Sequence, residues 1–158
     1  EKAFTELSIY LAKEIARDGE GASKLIELKV SGASTAEQAL LTAKAVVNSP
    51  LVKTAIYGAD PNWGRFVMAI GKVFNYTVAI DQLSILFSNE SNDEASNRLT
   101  INAKMLDTDS VPLNEISKLL KNDKVFIEIV LGDGDFEETV WGCDLTEGYV
   151  EVNAHYTT

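Results

Sequence analysis

Two short stretches of this sequence concentrate residue types that could do chemistry. The first, Arg17-Asp18-Gly19-Glu20-Gly21-Ala22-Ser23-Lys24, sets four charges around two glycines. A carboxylate on a glycine-flanked turn is uncrowded, so Glu20 could receive the ammonium of a small substrate. The competing reading, which spacing alone favours, is a helix C-cap with solvated charges. Its Gly-x-Gly follows a helical pattern and precedes a strand pattern. That is the wrong order for seating pyrophosphate on a helix N-terminus, so it is not a dinucleotide fingerprint. The second stretch is Gly58-Ala59-Asp60-Pro61-Asn62-Trp63-Gly64-Arg65. Here a turn leads into a helix whose first N–H groups could meet an anion. The plainer reading is a capped helix with Trp63 in the core and Arg65 paired to a surface acid. Gly64 and Gly71 would let another backbone approach that helix.

Other reactive residues exclude more than they suggest. His155 is the only histidine and Cys143 the only cysteine. One of each makes no zinc site, and any Ser-His-Asp hydrolase would have to use His155. Read as a strand, Tyr149–Tyr156 places Asn153 and His155 on one face with Tyr149 and Glu151. His155 is then a satisfied surface residue, and Cys143 is packed and inert. Gly132-Asp133-Gly134-Asp135 resembles part of a calcium loop without its closing Glu, so a hairpin turn is the reading adopted.

Charge and length narrow the field further. The 158 residues carry 14 Lys+Arg against 24 Asp+Glu, a net charge of −10. Repulsion from phosphate argues against nucleic acid and anionic lipid as partners. The length suits one domain with a real core, at most two small lobes meeting near residue 75 (1–75 and 76–158). No apolar run approaches the roughly 20 residues needed to span a bilayer. A single cysteine fits a reducing compartment. Glu1 is not Met, and Glu1-Lys2-Ala3-Phe4 has no signal or transit character, so the chain is expected to begin inside something longer.

The elements that must position these residues follow from hydrophobic periodicity. Phe4, Leu7, Leu11 and Ile15 predict a helix stopped at Gly19. Ile26, Leu28 and Val30 alternate with Glu27 and Lys29, a half-buried strand. Ser34-Thr35-Ala36-Glu37 is a capping box opening a helix through Val47, which Ser49-Pro50 breaks. Leu51–Tyr57 reads as a buried strand. Asp60-Pro61 supplies an N-cap and first-turn proline for a helix on Trp63, Phe66, Val67 and Ile70. The second half predicts strands at Leu83–Phe87, Arg98–Met105 and Val125–Leu131, a polar turn at Ser88–Asn97 and a short helix after Pro112. An antiparallel return at Phe136–Leu145 and the last strand, Tyr149–Tyr156, complete it. The fold class is α/β in the α+β sense, with a mixed, largely antiparallel sheet covered by helices.

Four ordered blocks resemble one family. Leu11-Ala12-Lys13 through Lys24 is similar to a segment of the form LAxxIxRDGEGATK. Ala43-Lys44 through Asn48-Ser49-Pro50-Leu51-Val52-Lys53-Thr54-Ala55 is similar to AKxIxNSPLVKTA. Gly58–Arg65 is similar to GxDPNWGR, and Tyr149–Thr158 to YVxINAxYxT. These are the motifs of the bifunctional ornithine acetyltransferase/glutamate N-acetyltransferase family of arginine biosynthesis. The stretch from about Phe74 to Lys124 matches least.

That resemblance implies a self-cleaving precursor with an αββα sandwich like that of N-terminal-nucleophile enzymes. A threonine exposed by cleavage heads the second chain and carries the acetyl group. Neither it nor the oxyanion-hole residues lie among these 158 residues, so the chain resembles the C-terminal portion of the second (beta) chain, with no catalytic residue of its own. The family's substrate contacts fall on Glu20, Asn153 and Thr158. Acetyl would pass from N-acetylornithine to glutamate without metal or cofactor, acetyl-CoA being a further donor in bifunctional members. The resemblance implies an alpha chain and the upstream beta segment as partners in a heterotetramer of two alpha and two beta chains. It also implies a cytoplasmic setting, or a mitochondrial matrix or plastid one in a eukaryote. Two rivals are an N-terminal-nucleophile aminopeptidase and a non-catalytic amino-acid-binding or assembly module.

Overall fold

The computed structural model of the protein describes residues 1–88, 99–102 and 113–155. In chain order the elements are α1 (Lys2–Arg17), β1 (Leu25–Ala33), α2 (Ala36–Val47), α3 (Pro50–Tyr57), α4 (Trp63–Ile70), β2 (Ser84–Ser88) and β3 (Leu99–Asn102). They continue with α5 (Leu113–Leu119), β4 (Lys124–Val130), β5 (Phe136–Cys143) and α6 (Glu147–Ala154). One five-stranded sheet has the order β3-β2-β4-β1-β5. It is parallel between β1 and β4 and antiparallel at the other three pairings. The mixed, largely antiparallel α+β class expected from the sequence is the one observed.

Strand alternation decides which face becomes the core. Ile26, Leu28 and Val30 stand opposite Val125, Ile127 and Ile129, and the last two of these stand opposite Phe87 and Ile85. All are buried against Ala39, Ala43 and Val46 of α2 and Phe66, Ala69 and Ile70 of α4. Small residues on α2 allow the helix to approach closely. Phe66 meets Phe87 edge to face, ring centroids 5.8 Å apart. Each such buried side chain contributes about 1.5–3 kcal/mol relative to exposure.

The other face departs from simple alternation. Glu27 projects there, yet is only 5% exposed. Lys13 of α1 reaches over it, Nζ to Oε2 2.9 Å, and Lys124 of β4 adds a second cation at 3.5 Å. Lys13 also lies 5.5 Å from the ring centroid of Trp141, the residue opposite Glu27 on β5. Burial pushes the Glu27 carboxyl upward. The Lys13 hydrogen bond and charge, then Lys124, then the neighbouring Trp141 indole outweigh that and hold it below its usual 4.5. A depressed carboxyl stabilises the fold above the unfolded value, and that contribution is lost as pH falls through the folded value. Glu27→Gln is therefore expected to lower the melting temperature at neutral pH and to converge on the parent at strongly acidic pH. Melting curves from pH 7 down to about 2 check this; two parallel curves would contradict it.

The helical stripe of α1 forms as its spacing predicts, but it faces away from the sheet. Phe4, Leu7, Leu11 and Ile15 are 49–76% exposed, and no residue of α1 is buried.

Several local expectations are corrected. Leu51–Tyr57 is not a strand. It lies in α3, whose buried Val52, Ala55 and Ile56 fall at helical spacing behind Pro50 at the first position. Asp60-Pro61 does not open α4, whose N-cap is Asn62. Asp60 instead closes α3, its N–H donating to the Ala55 carbonyl (2.8 Å) while Ala59 N–H donates to Ile56 (3.2 Å). That is a Schellman ending with Ala59 at φ +52. The capping box at α2 is shifted by one residue. Thr35 Oγ1 accepts from Gln38 N–H, and Gln38 Oε1 accepts from Ser34.

Gly132–Asp135 is not a β4–β5 hairpin turn. β1 lies between those strands, so the connection crosses the end of β1, with Leu131 N–H donating to Ser31 and Gly134 N–H to Gly32. The segment read as a terminal strand is α6, capped by Thr146. Residues 89–97 of the expected polar turn, Arg98 and residues 103–105 of the weak strand, and Pro112 lie outside the described residues.

Candidate functional site

The glycine turn at residues 19–22 is held by the chain that leaves β5 and enters α6. Asp144, 3% exposed, accepts from Ser23 N–H (2.8 Å), Lys24 N–H (3.0 Å) and the Ser23 hydroxyl (2.5 Å). Two residues on, the Thr146 hydroxyl donates to the Gly21 carbonyl (2.5 Å) and accepts from Tyr149 N–H (3.2 Å). Thr146 therefore caps α6 and fastens that cap to the turn. Gly21 has φ +67, and a Cβ there would lie 2.5 Å from the Tyr149 nitrogen. Backbone meets backbone at this point, which only glycine permits.

The result is a single constellation. Asn153 Nδ2 donates to Glu20 Oε2 at 2.9 Å and to the Tyr149 carbonyl at 2.9 Å. The helical i,i+4 relation between Tyr149 and Asn153 replaces the strand-face relation expected from sequence. Both Glu20 and Asn153 are exposed. With Oε2 occupied by Asn153, Oε1 faces no donor among the described residues. Thr158, the third expected site residue, lies outside the described residues.

Lys24, last of the charged stretch, is structural. Its ammonium donates to the carbonyls of Ile56 (2.7 Å), Tyr57 (3.1 Å) and Leu120 (2.7 Å), the negative ends of α3 and of the turn after α5. Burial lowers its pKa from the usual 10.5, offset in part by Asp144 and Asp123. A cavity of about 340 Å³ lies beside the turn, lined by Arg17, Ala22, Ser23, Lys24, Asp123 and Lys124 among others. Its three cations already have partners, since Arg17 pairs with Glu14 and Lys124 with Glu27. Charge lining alone does not make it an anion site.

The second stretch follows its plainer reading. Arg65 donates to the Leu51 carbonyl (3.0 Å) and Thr54 Oγ1 (3.2 Å) and pairs with Asp60 at 3.6 Å. It ties α4 to α3 and presents no spare cation. Trp63 packs at the edge of the core. Cys143 is half-buried, its sulfur 3.9 Å from Lys53 Nζ. Among the described residues no group of three or more His, Cys, Asp or Glu could hold a metal ion. None of their helices is long and apolar enough to cross a membrane.

Sequence reasoning missed Asp144 and Thr146. The signal was slight: a strand pattern ending in Asp-x-Thr, with Glu147 in the first helical position. Only the return of α6 onto the turn gives those residues their work.

Comparison with known proteins covers the whole of this chain. A model of the ArgJ family matches residues 1–158. The chain is 46% identical over 158 residues to the arginine biosynthesis bifunctional protein ArgJ 2 of Clostridium acetobutylicum, covering 99% of this chain and 38% of that protein. It is 45% identical over 158 residues to a glutamate N-acetyltransferase of Methanosarcina acetivorans, covering 100% and 38%. The chain thus spans well under half the length of these curated relatives. Among solved structures, the arginine biosynthesis bifunctional protein of Bacillus halodurans superposes with a TM-score of 0.83 at 40% identity. That match covers 98% of this chain and 68% of the solved one.

Proposed function

The chain belongs to the ArgJ family, and from that premise we propose that it is the C-terminal part of the second chain of an acetyltransferase moving acetyl from N-acetylornithine to glutamate. A threonine hydroxyl upstream, activated by its own free amine, attacks the acetyl carbonyl and forms an ester as ornithine leaves. The glutamate amine then attacks that ester, giving N-acetylglutamate and restoring the hydroxyl. Acetyl-CoA serves as a second donor where the enzyme is bifunctional. In this scheme Glu20 receives a substrate ammonium on Oε1, while Asn153 and Thr158 hydrogen-bond polar groups beside it. No step here calls for a metal or cofactor.

The observation that carries the reading is the 2.9 Å hydrogen bond between Glu20 and Asn153. Two exposed residues from opposite ends of the chain meet at one point, and both lie in stretches that resemble the family's substrate contacts. The outward stripe of α1 agrees with a larger assembly. Four apolar side chains 49–76% exposed on one helix are expected to be covered by the remainder of the protein, the alpha chain and upstream beta segment of a heterotetramer. Coverage points the same way: a solved chain of which this chain covers 68% is shorter than relatives of which it covers 38%, as a cut precursor would give. A cytoplasmic site of action is part of this proposal.

The test uses the full-length enzyme with N-acetylornithine and glutamate. Glu20→Gln is expected to raise KM for the ornithine-type substrate by about tenfold to a hundredfold, the worth of one charge-assisted hydrogen bond. Unchanged kinetics for both substrates would overturn the assignment. Peptide or amide hydrolysis in place of transfer to glutamate would point to an aminopeptidase.

A further inference from the structure

The residues from Asp144 to Asn153 contact the glycine turn in strict reverse order. Asp144 holds Ser23 and Lys24, Thr146 holds Gly21, and Asn153 holds Glu20. All of these contacts join segments more than a hundred residues apart in the chain. Asp144 is the inner end of this zipper, and its carboxylate is buried. Its Oδ1 accepts two backbone N–H groups and its Oδ2 a hydroxyl, and no cation lies within ion-pair distance of it among the described residues. A buried carboxylate satisfied wholly by one turn fixes that turn, because moving the turn would strand the charge without partners. The same arrangement leaves Glu20 at the exposed outer end, where its position is set by the anchored residues behind it.

We propose that Asp144 is a positioning residue for substrate binding: by clamping Ser23 and Lys24 it sets where the Glu20 carboxylate stands against Asn153. This rests on the reading of Glu20 as a substrate contact. It assigns Asp144 no contact with substrate and no part in the acyl-transfer step itself. Loss of the clamp therefore acts on KM for the substrate that Glu20 receives, and leaves kcat at saturating substrate close to the parent value.

The experiment is a double-mutant cycle in the full-length enzyme, with Asp144→Asn, Glu20→Gln and both together. Asp144→Asn alone is expected to raise KM for the ornithine-type substrate about tenfold, with kcat within about twofold of the parent. In the Glu20→Gln background the same change is expected to add less than about threefold, since the residue it positions is already lost. Equal losses in both backgrounds, or a fall in kcat alone, would overturn the positioning role while leaving Glu20 a substrate contact. No effect of Glu20→Gln by itself would overturn the underlying site reading instead. Should Asp144→Asn fail to fold, Ser23→Ala removes one of the three donors to Asp144 and is run through the same cycle. Expected there is a smaller KM increase, again suppressed by Glu20→Gln; an additive effect would sink the proposal.

Discussion

Gly21→Ala is expected to remove most acetyl transfer and to destabilise the protein at the same time. Gly21 sits at φ +67, where a side chain costs about 1–2 kcal/mol. Its added Cβ would also lie 2.5 Å from the Tyr149 nitrogen and 2.7 Å from the Gly148 carbonyl carbon. These are backbone atoms of the first turn of α6, so no rotamer change relieves the contact. Either the turn or α6 must move. Moving α6 breaks the bond from Thr146 to Gly21 and carries Asn153 away from Glu20. A total cost of about 3 kcal/mol or more follows from strain and clash together. Activity in the full-length enzyme is expected to fall at least as far as in Glu20→Gln, because the Glu20–Asn153 pair is pulled apart whichever of the two segments moves. The measurements are kcat/KM and melting temperature side by side. Parent-like values of both would show that α6 does not rest on this turn.

Gly32→Ala is expected to destabilise comparably without a specific loss of activity. Gly32 has φ +68, and a Cβ there would collide with the Gly132 carbonyl oxygen. This is the crossing where the β4–β5 connection passes over the end of β1, fixed by Leu131 N–H to Ser31 (2.9 Å) and Gly134 N–H to Gly32 (3.2 Å). Relieving the collision lifts that connection off β1 and loosens both edges of the parallel pair. About 3 kcal/mol is expected again. The crossing is at the C-terminal end of β1, and the glycine turn precedes its N-terminal end. Folded Gly32→Ala enzyme should therefore keep a kcat/KM within about twofold of the parent. Chemical denaturation gives the first quantity and assay below the unfolding transition the second. A kcat/KM loss matching that of Gly21→Ala would mean that the two glycines act through one shared deformation.

How much of this was legible in the sequence differs by element. β1 and β4 were readable because their alternation is long and strict, and α2 because a cap and an apolar face agree over twelve residues. α3 and α6 were read as strands because each is only eight residues long. Over two turns an apolar run satisfies period 2 and period 3.6 almost equally, so the local signal is degenerate. In α3 the first-position proline was the deciding cue. In α6 it was Thr146, whose hydroxyl caps the helix and bonds Gly21 at once, a choice no local window contains. Alternation reads β1 as half-buried, whereas α1 lays Lys13 over Glu27 and buries the second face there as well.

The linear chain already carries the composition of the core face, the glycine-flanked carboxylate at Glu20 and the four blocks that mark the family. Those depend on residue type and short spacing, which a linear reading preserves. The packed fold makes β5 pair with β1 across a crossing rather than with β4 in a hairpin. It alone placed Asp144 and Thr146 under the turn and brought Asn153 within 2.9 Å of Glu20. The contacts between this turn and the residues from Asp144 to Asn153 join positions 120 to 133 apart. At the inner end they satisfy the buried Asp144 carboxylate and the backbone groups of the turn. Which residue satisfies which is fixed by where the packed elements deliver them, and that is information held by the fold.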